Sequence, residues 1–323
     1  MIMDTRLIKI NDLRQGDILL FSPVLTDWES KLIALITDAP VTHSAISYYK
    51  SNEIIEENVP TVQVNKIRNR IGNRTITVMR LNPHNKDMTK VLDVAKMYLD
   101  DKIPYTRIQL LFSGLVILFK RAAISVEVQK LLIPLMESVV STLIKMIDKG
   151  VYKNSHPMVC SQFVYDCYKN AGNGYRLIIN NGTSTKTLLH RIEDYINQNG
   201  YNMRNKLVTS IDMIDRDKGC TSIEDCDLEN LYSKLKKEIG NEEKNAKGLL
   251  DEKFVTSAHE FCAVINHCFG VNRKEMLLTN TRKGLSSNAI TSMLDREEYF
   301  VTPGDLLSNC ENLIKVGVLD NNS

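Results

Sequence analysis

Cys160, His43 and Glu56 are the three residue types that together do thiol chemistry, and they stand far apart in this chain. A thiol attacks carbonyl carbon only as its thiolate, so it needs a base to take the proton and a third group to fix that base's tautomer. Cys160 lies in His156-Pro157-Met158-Val159-Cys160-Ser161-Gln162-Phe163-Val164-Tyr165, where a loop with a proline runs into an apolar-periodic helix. That pattern predicts a thiol in the first helical turn, where orphan N–H groups and the positive end of the helix dipole favour the anion. The competing reading is a small core residue, since free cysteine is commonly buried.

His43 lies in Val41-Thr42-His43-Ser44-Ala45-Ile46-Ser47-Tyr48-Tyr49, which alternates as a strand does. Glu53-Ile54-Ile55-Glu56-Glu57, reached through Lys50-Ser51-Asn52, reads as its antiparallel neighbour, so a carboxylate can orient an imidazole across the pair. Taken singly, a half-buried strand histidine and a solvated glutamate are the plainer readings. Their conjunction with Cys160 supplies nucleophile, base and orienting group.

The elements that must position these groups are short. Leu13-Arg14-Gln15-Gly16-Asp17 reads as a turn before the apolar run Ile18-Leu19-Leu20-Phe21. Asp27 to Thr37 repeats apolar residues at helical spacing, with Asp27 in N-cap position. Thr75-Ile76-Thr77-Val78-Met79-Arg80-Leu81 extends the sheet. The expectation is an α+β fold with a small, mostly antiparallel sheet and packed helices.

Five stretches in this order carry a resemblance: Gly16-Asp17-Ile18-Leu19-Leu20, Thr42-His43-Ser44-Ala45-Ile46, Ile54-Ile55-Glu56, Ile103-Pro104-Tyr105 and Val159-Cys160-Ser161-Gln162-Phe163-Val164. They resemble the circularly permuted NlpC-type branch of the papain-like fold, of the YiiX sort, to which lecithin retinol acyltransferase is related. In that branch the histidine strand precedes the cysteine helix, as it does here. The resemblance implies Cys160 as nucleophile, His43 as general base, Glu56 as the residue that orients it and Tyr105 as an active-site lining residue. Phe300-Val301-Thr302-Pro303-Gly304-Asp305-Leu306-Leu307-Ser308 is similar to the Pro-x-Asp-Leu segment that closes the permuted domain.

That similarity implies a catalytic domain over 1–180, a helical insertion over 181–295 and a return segment over 296–323; a plain C-terminal second domain is the competing reading. Long insertions are tolerated because loop-closure entropy grows slowly with length. Within the first part, 107–150 reads as an apolar helical hairpin: Ile108 to Phe119, flanked by Arg107 and Lys120-Arg121, then Leu131 to Ile147 with Pro134 at a start or kink. The first run is shorter than the roughly 20 residues that span a bilayer, so no transmembrane span is expected. The hairpin packs on its domain, docks on a membrane surface or forms an acyl-chain groove. In the second insertion Thr185 to Asn197, Leu228 to Ile239 and Val255 to Phe269 read as helices. The last carries His259, Cys262, His267 and Cys268, but consecutive His267 and Cys268 diverge on a helix, which favours buried small residues over a zinc site.

Charge and cysteine usage bound the function. Net charge is +2 from 41 basic and 39 acidic residues, which gives no polyanion-binding bias, so no nucleic-acid partner is expected. No Gly-rich phosphate loop stands in the chain, and no cofactor or metal is expected. Seven irregularly spaced cysteines fit a reducing compartment. Met1 to Ile10 lacks an apolar signal core, so the expectation is cytoplasmic residence or a signal-peptide-independent delivery route. The resemblance implies a thiol hydrolase of peptide or amide bonds working through a thioester. The alternatives are an acyltransferase that passes a fatty-acyl or other acyl group to an amine, and a partner-binding module with a vestigial triad. The substrate is then a peptide, an amide or an acyl lipid.

Overall fold

The computed structural model describes residues 6–50, 52–83, 85–102, 114–121, 123–148, 158–180, 186–199, 228–239, 249–269 and 289–320. The chain divides into two compact units, residues 1–110, 157–183 and 298–323 forming one, and 111–156 with 184–297 the other. The fold class is α+β.

The first unit is built on a seven-stranded sheet. In chain order its elements are β1 (Leu7–Ile8), β2 (Ile18–Phe21), α1 (Trp28–Thr37), β3 (His43–Ser47), β4 (Glu53–Asn58), β5 (Thr61–Lys66), α2 (Arg68–Ile71), β6 (Ile76–Leu81), α3 (Thr89–Asp100), α4 (Cys160–Asn170), α5 (Pro303–Ser308) and β7 (Leu313–Leu319). The strand order is β1-β7-β6-β2-β3-β4-β5. Neighbours are antiparallel except β1 and β7, which pair in parallel through Leu7 with Val318 and Ile8 with Leu319. The sheet is therefore mixed and larger than the run of apolar segments predicts. A parallel pair is available here because the two strands come from opposite ends of the chain and need no hairpin between them.

Strand alternation distributes the core. Ile18 and Leu20 of β2 face one cluster with Ile46, Ile55 and Met79, packed against Val91, Leu92 and Ala95 of α3 and Phe163, Val164, Cys167 and Tyr168 of α4. Leu19 and Phe21 face the other, with Ala45, Ile54, Ile76, Val78, Ile67 and Ile71. Every residue of β2 is buried, which explains its continuous apolar run. Asp27 caps α1, its carboxylate accepting the Ser30 N–H at 3.0 Å.

The last residues complete this unit. α5 starts with a capping box: the Thr302 hydroxyl accepts the Asp305 N–H at 3.0 Å, and the Asp305 carboxylate accepts the Thr302 N–H at 2.9 Å. The Ser161 hydroxyl donates to the Val301 carbonyl at 2.8 Å, which ties this segment to α4. At Gly317 a Cβ would stand 2.2 Å from the Arg6 carbonyl, so a glycine lets β7 approach β1.

The regular elements described in the second unit are helical, chiefly Val126–Asp148, Leu188–Gln198, Leu228–Ile239, Glu252–Phe269 and Ala289–Leu294. Glu252–Phe269 packs against Val126–Asp148 and Ala289–Leu294. The Val126–Asp148 helix runs through Pro134 instead of starting there. Leu115, Val116, Leu118 and Phe119, and Leu132, Leu135, Met136, Val139, Val140 and Leu143, are buried. Of the expected hairpin over 107–150, residues 107–113, 122 and 149–150 lie outside the described residues. Among the described residues no helix is long and apolar enough to cross a membrane.

Candidate active site

β3 and β4 are hydrogen-bonded neighbours, with Ile46 opposite Ile55 and Ser47 opposite Ile54. His43 opens β3, facing Phe21 across the β2–β3 pair with ring centroids 5.4 Å apart. Its Nε2 lies 2.5 Å from Oε2 of Glu56. Because that carboxylate is ionised, Nε2–H is the donor, and Nδ1 is the ring nitrogen left to accept a proton.

Glu56 has no exposed surface and three side-chain partners, His43 among them. Asn65 Nδ2 of β5 donates to Oε1 at 2.8 Å, and Arg70 of α2 donates from Nη2 to Oε2 at 3.2 Å. Arg70 Nε also lies 2.8 Å from Oε1, an ion-pair distance without hydrogen-bond alignment. Burial alone pushes the Glu56 pKa up. The hydrogen bond and charge of His43, with Arg70 and Asn65, outweigh burial and hold it at about 2.

Cys160 is the first residue of α4, after a Val159 N-cap in extended conformation whose side chain caps nothing. The first helical bond runs from the Phe163 N–H to the Val159 carbonyl at 2.8 Å, so the Cys160 N–H starts the helix without an intrahelical acceptor. Cys160 is 7 % exposed, and His43 is the charged group that acts on its thiol most strongly. Burial pushes its pKa up, but the His43 charge and hydrogen bond, joined by the Ser44 amide and hydroxyl, bring it below the ordinary thiol value. Ser44 Oγ is buried and has no hydrogen-bond partner by geometry among the described residues. Burial pulls His43 down, while the charge and hydrogen bond of Cys160, then those of Glu56, raise it to about 9. The two shifts have opposite signs, the thiol down and the imidazole up, which is the direction that favours moving the proton from sulfur to the ring.

Cys160, His43 and Glu56 are brought together, and Tyr105 lies outside the described residues. Four further residues complete the site: Asn65 and Arg70 around Glu56, Ser44 at the sulfur, and Glu57, whose burial places a second carboxyl beside Cys160. Alternation with Ile55 was the signal for Glu57, since both lie on the same face of β4. Arg74 packs its guanidinium 5.0 Å from the Phe21 ring centroid and donates from Nε to the Ser22 carbonyl at 2.7 Å, bracing the far side of the histidine's neighbour.

Of the zinc-type residues, His259 and Cys262 are buried on the Glu252–Phe269 helix, and burial pushes the Cys262 thiol up. The side chains of His267 and Cys268 lie outside the described residues. Among the described residues no group of three or more His, Cys, Asp or Glu side chains could hold a metal ion. No protein-family model matches the chain, and no curated protein matches it.

Proposed function

We propose that this protein is a thiol hydrolase of peptide or amide bonds, acting through Cys160, His43 and Glu56 in the manner of the permuted NlpC-type papain-like enzymes that its motifs resemble. The observation that carries the reading is the relay itself. A fully buried Glu56 holds Nε2 of His43 at 2.5 Å, and Cys160, the first residue of a helix, is the neighbour whose charge acts most strongly on the same imidazole.

In this mechanism the Cys160 proton resides on His43 Nδ1, and the thiolate attacks the carbonyl carbon. The carbonyl electron pair moves onto oxygen, which the Cys160 N–H stabilises at the helix start. Collapse reforms the carbonyl and breaks the C–N bond, and the amine leaves with the proton from His43. Water then gives a proton to His43 and attacks the thioester; the C–S bond breaks, and the acid and the thiolate are released. Glu56 stays ionised throughout, stabilising the imidazolium and fixing its tautomer.

The test is active-site labelling. Iodoacetamide at neutral pH is expected to alkylate Cys160 at least tenfold faster than the half-buried Cys310, read by mass spectrometry of the peptides. The His43→Ala variant should lose that preference, and equal rates at both cysteines in the wild type would remove the nucleophile from the account. Offering an acyl-amide substrate with and without a free amine separates the two enzymatic outcomes. Free acid as the product in both cases means hydrolysis, whereas conversion to a new amide means acyl transfer and overturns the hydrolase assignment.

A further inference from the structure

β4 carries two adjacent glutamates in opposite situations. Glu56 meets His43, Asn65 and Arg70. Glu57 is 1 % exposed, and neither of its oxygens has a hydrogen-bond partner among the described residues. Alternation turns Glu57 to the face that packs on α4, the helix led by Cys160, and α4 contacts both β3 and β4. The register that pairs Ile46 with Ile55, continued along both strands, sets Ser44 opposite Glu57.

We propose that Glu57 is a positioning residue for the nucleophile: its uncharged carboxyl, buried beside α4, leaves Cys160 as the acid that ionises there, so the negative charge stays on the sulfur where His43 pairs with it. The proposal rests on Cys160 being the nucleophile.

A buried carboxylate without donors has nothing to replace its lost hydration, so it keeps its proton. The groups facing Glu57 reinforce this. α4 presents Cys160, Asp166 and Cys167; β3 sets Ser44 opposite Glu57 and turns His43 to the other face; β5 opposes Glu57 with apolar Val62. Burial, then the charges of Cys160 and Asp166, push the Glu57 carboxyl well above the ordinary carboxylate range. The interaction is reciprocal: an ionised Glu57 would raise the Cys160 thiol by the same coupling. Environments that separate two neighbouring titratable groups in this way assign their roles, one charged and one neutral.

The proposal is tested by infrared difference spectroscopy of the full chain. Wild type minus Glu57→Gln at neutral pH should contain the carbonyl stretch of a protonated carboxylic acid. That band should persist to a pH about one unit higher, a tenfold change in ionisation constant, in wild type with a free Cys160 than in the same protein alkylated by iodoacetamide. Glu57→Met serves as the reference if the glutamine variant folds poorly. No acid band lost on substitution, or a band whose midpoint ignores alkylation, overturns the proposal. His43→Ala keeps the two readings apart: if it leaves Cys160 alkylation unchanged the nucleophile reading fails, and if it slows alkylation while the band does not move, Glu57 alone loses its role.

Discussion

At Glu56 three donors converge on one buried carboxylate, whereas Glu57, one residue on and equally buried, meets none, and this contrast determines how stability responds to pH. Glu56 titrates from 4.5 when unfolded to about 2 when folded, so its contribution is complete above 4.5 and is lost as pH falls toward 2. Glu57 has the opposite sign. Its folded value is raised, so stability is fullest below 4.5 and declines as pH rises. His43, raised from 6.5 to about 9, contributes fully below 6.5 and loses its contribution as pH rises through 9. Urea midpoints measured from pH 4 to pH 8 should therefore show Glu57→Gln gaining on the wild type as pH increases. A constant difference between the two proteins would mean that Glu57 is charged in the fold. Glu56→Gln should keep a hydrogen-bond acceptor for His43 but remove its charge, lowering the imidazole pKa and slowing Cys160 alkylation at pH 7 by about tenfold, or one pKa unit. The residue types of the relay were legible because each has one chemical job. Asn65 and Arg70 were not, because nothing in Thr61–Lys66 or Arg68–Ile71 tells which side chain reaches Glu56 until strand register is known.

Among elements, β2 to β4, β6 and α4 follow from alternation and helical spacing over short distances. β5 carries no apolar run that marks it, since Thr61-Val62-Gln63-Val64-Asn65-Lys66 is an edge strand in which only Val62 is buried. β1 is two residues long, and β7 owes its place to partners more than two hundred residues away, which no local pattern encodes. The helix expected over Leu131 to Ile147 begins earlier, at Val126, and Pro134 lies inside it, which removes the start and not the kink from the two alternatives. Two element-scale outcomes follow. Asp305→Ala removes one arm of the capping box and should cost about 1 kcal/mol, read from the urea midpoint. Gly317→Ala should cost more than that, because the added methyl meets the Arg6 backbone and not a flexible side chain. A neutral Gly317→Ala would show that β1 does not pair with β7 in solution.

For the molecule as a whole, the first unit is assembled from three separated pieces of chain, and β7 stands between β1 and β6 in its sheet. Ending the chain at residue 309 should expose both neighbouring strand edges and abolish cooperative unfolding of this unit, measured by circular dichroism on heating. The order His43 before Cys160 and the late Thr302-Pro303-Gly304-Asp305 segment were readable in sequence. The joining of 111–156 with 184–297 into one compact unit was not, because it depends on packing between segments that share no motif. The relay itself belongs to this scale, since it joins residue 43 to residue 160 and exists only when the first unit is folded. Its most direct test is the pH dependence of Cys160 alkylation in the wild type and in His43→Ala. The account predicts a wild-type midpoint well below the ordinary thiol value of about 8.5 and a shift up to that value in the variant, with at least tenfold slower reaction at pH 6. Superimposable profiles would contradict it, because a thiolate that does not need His43 is not one partner of an ion pair.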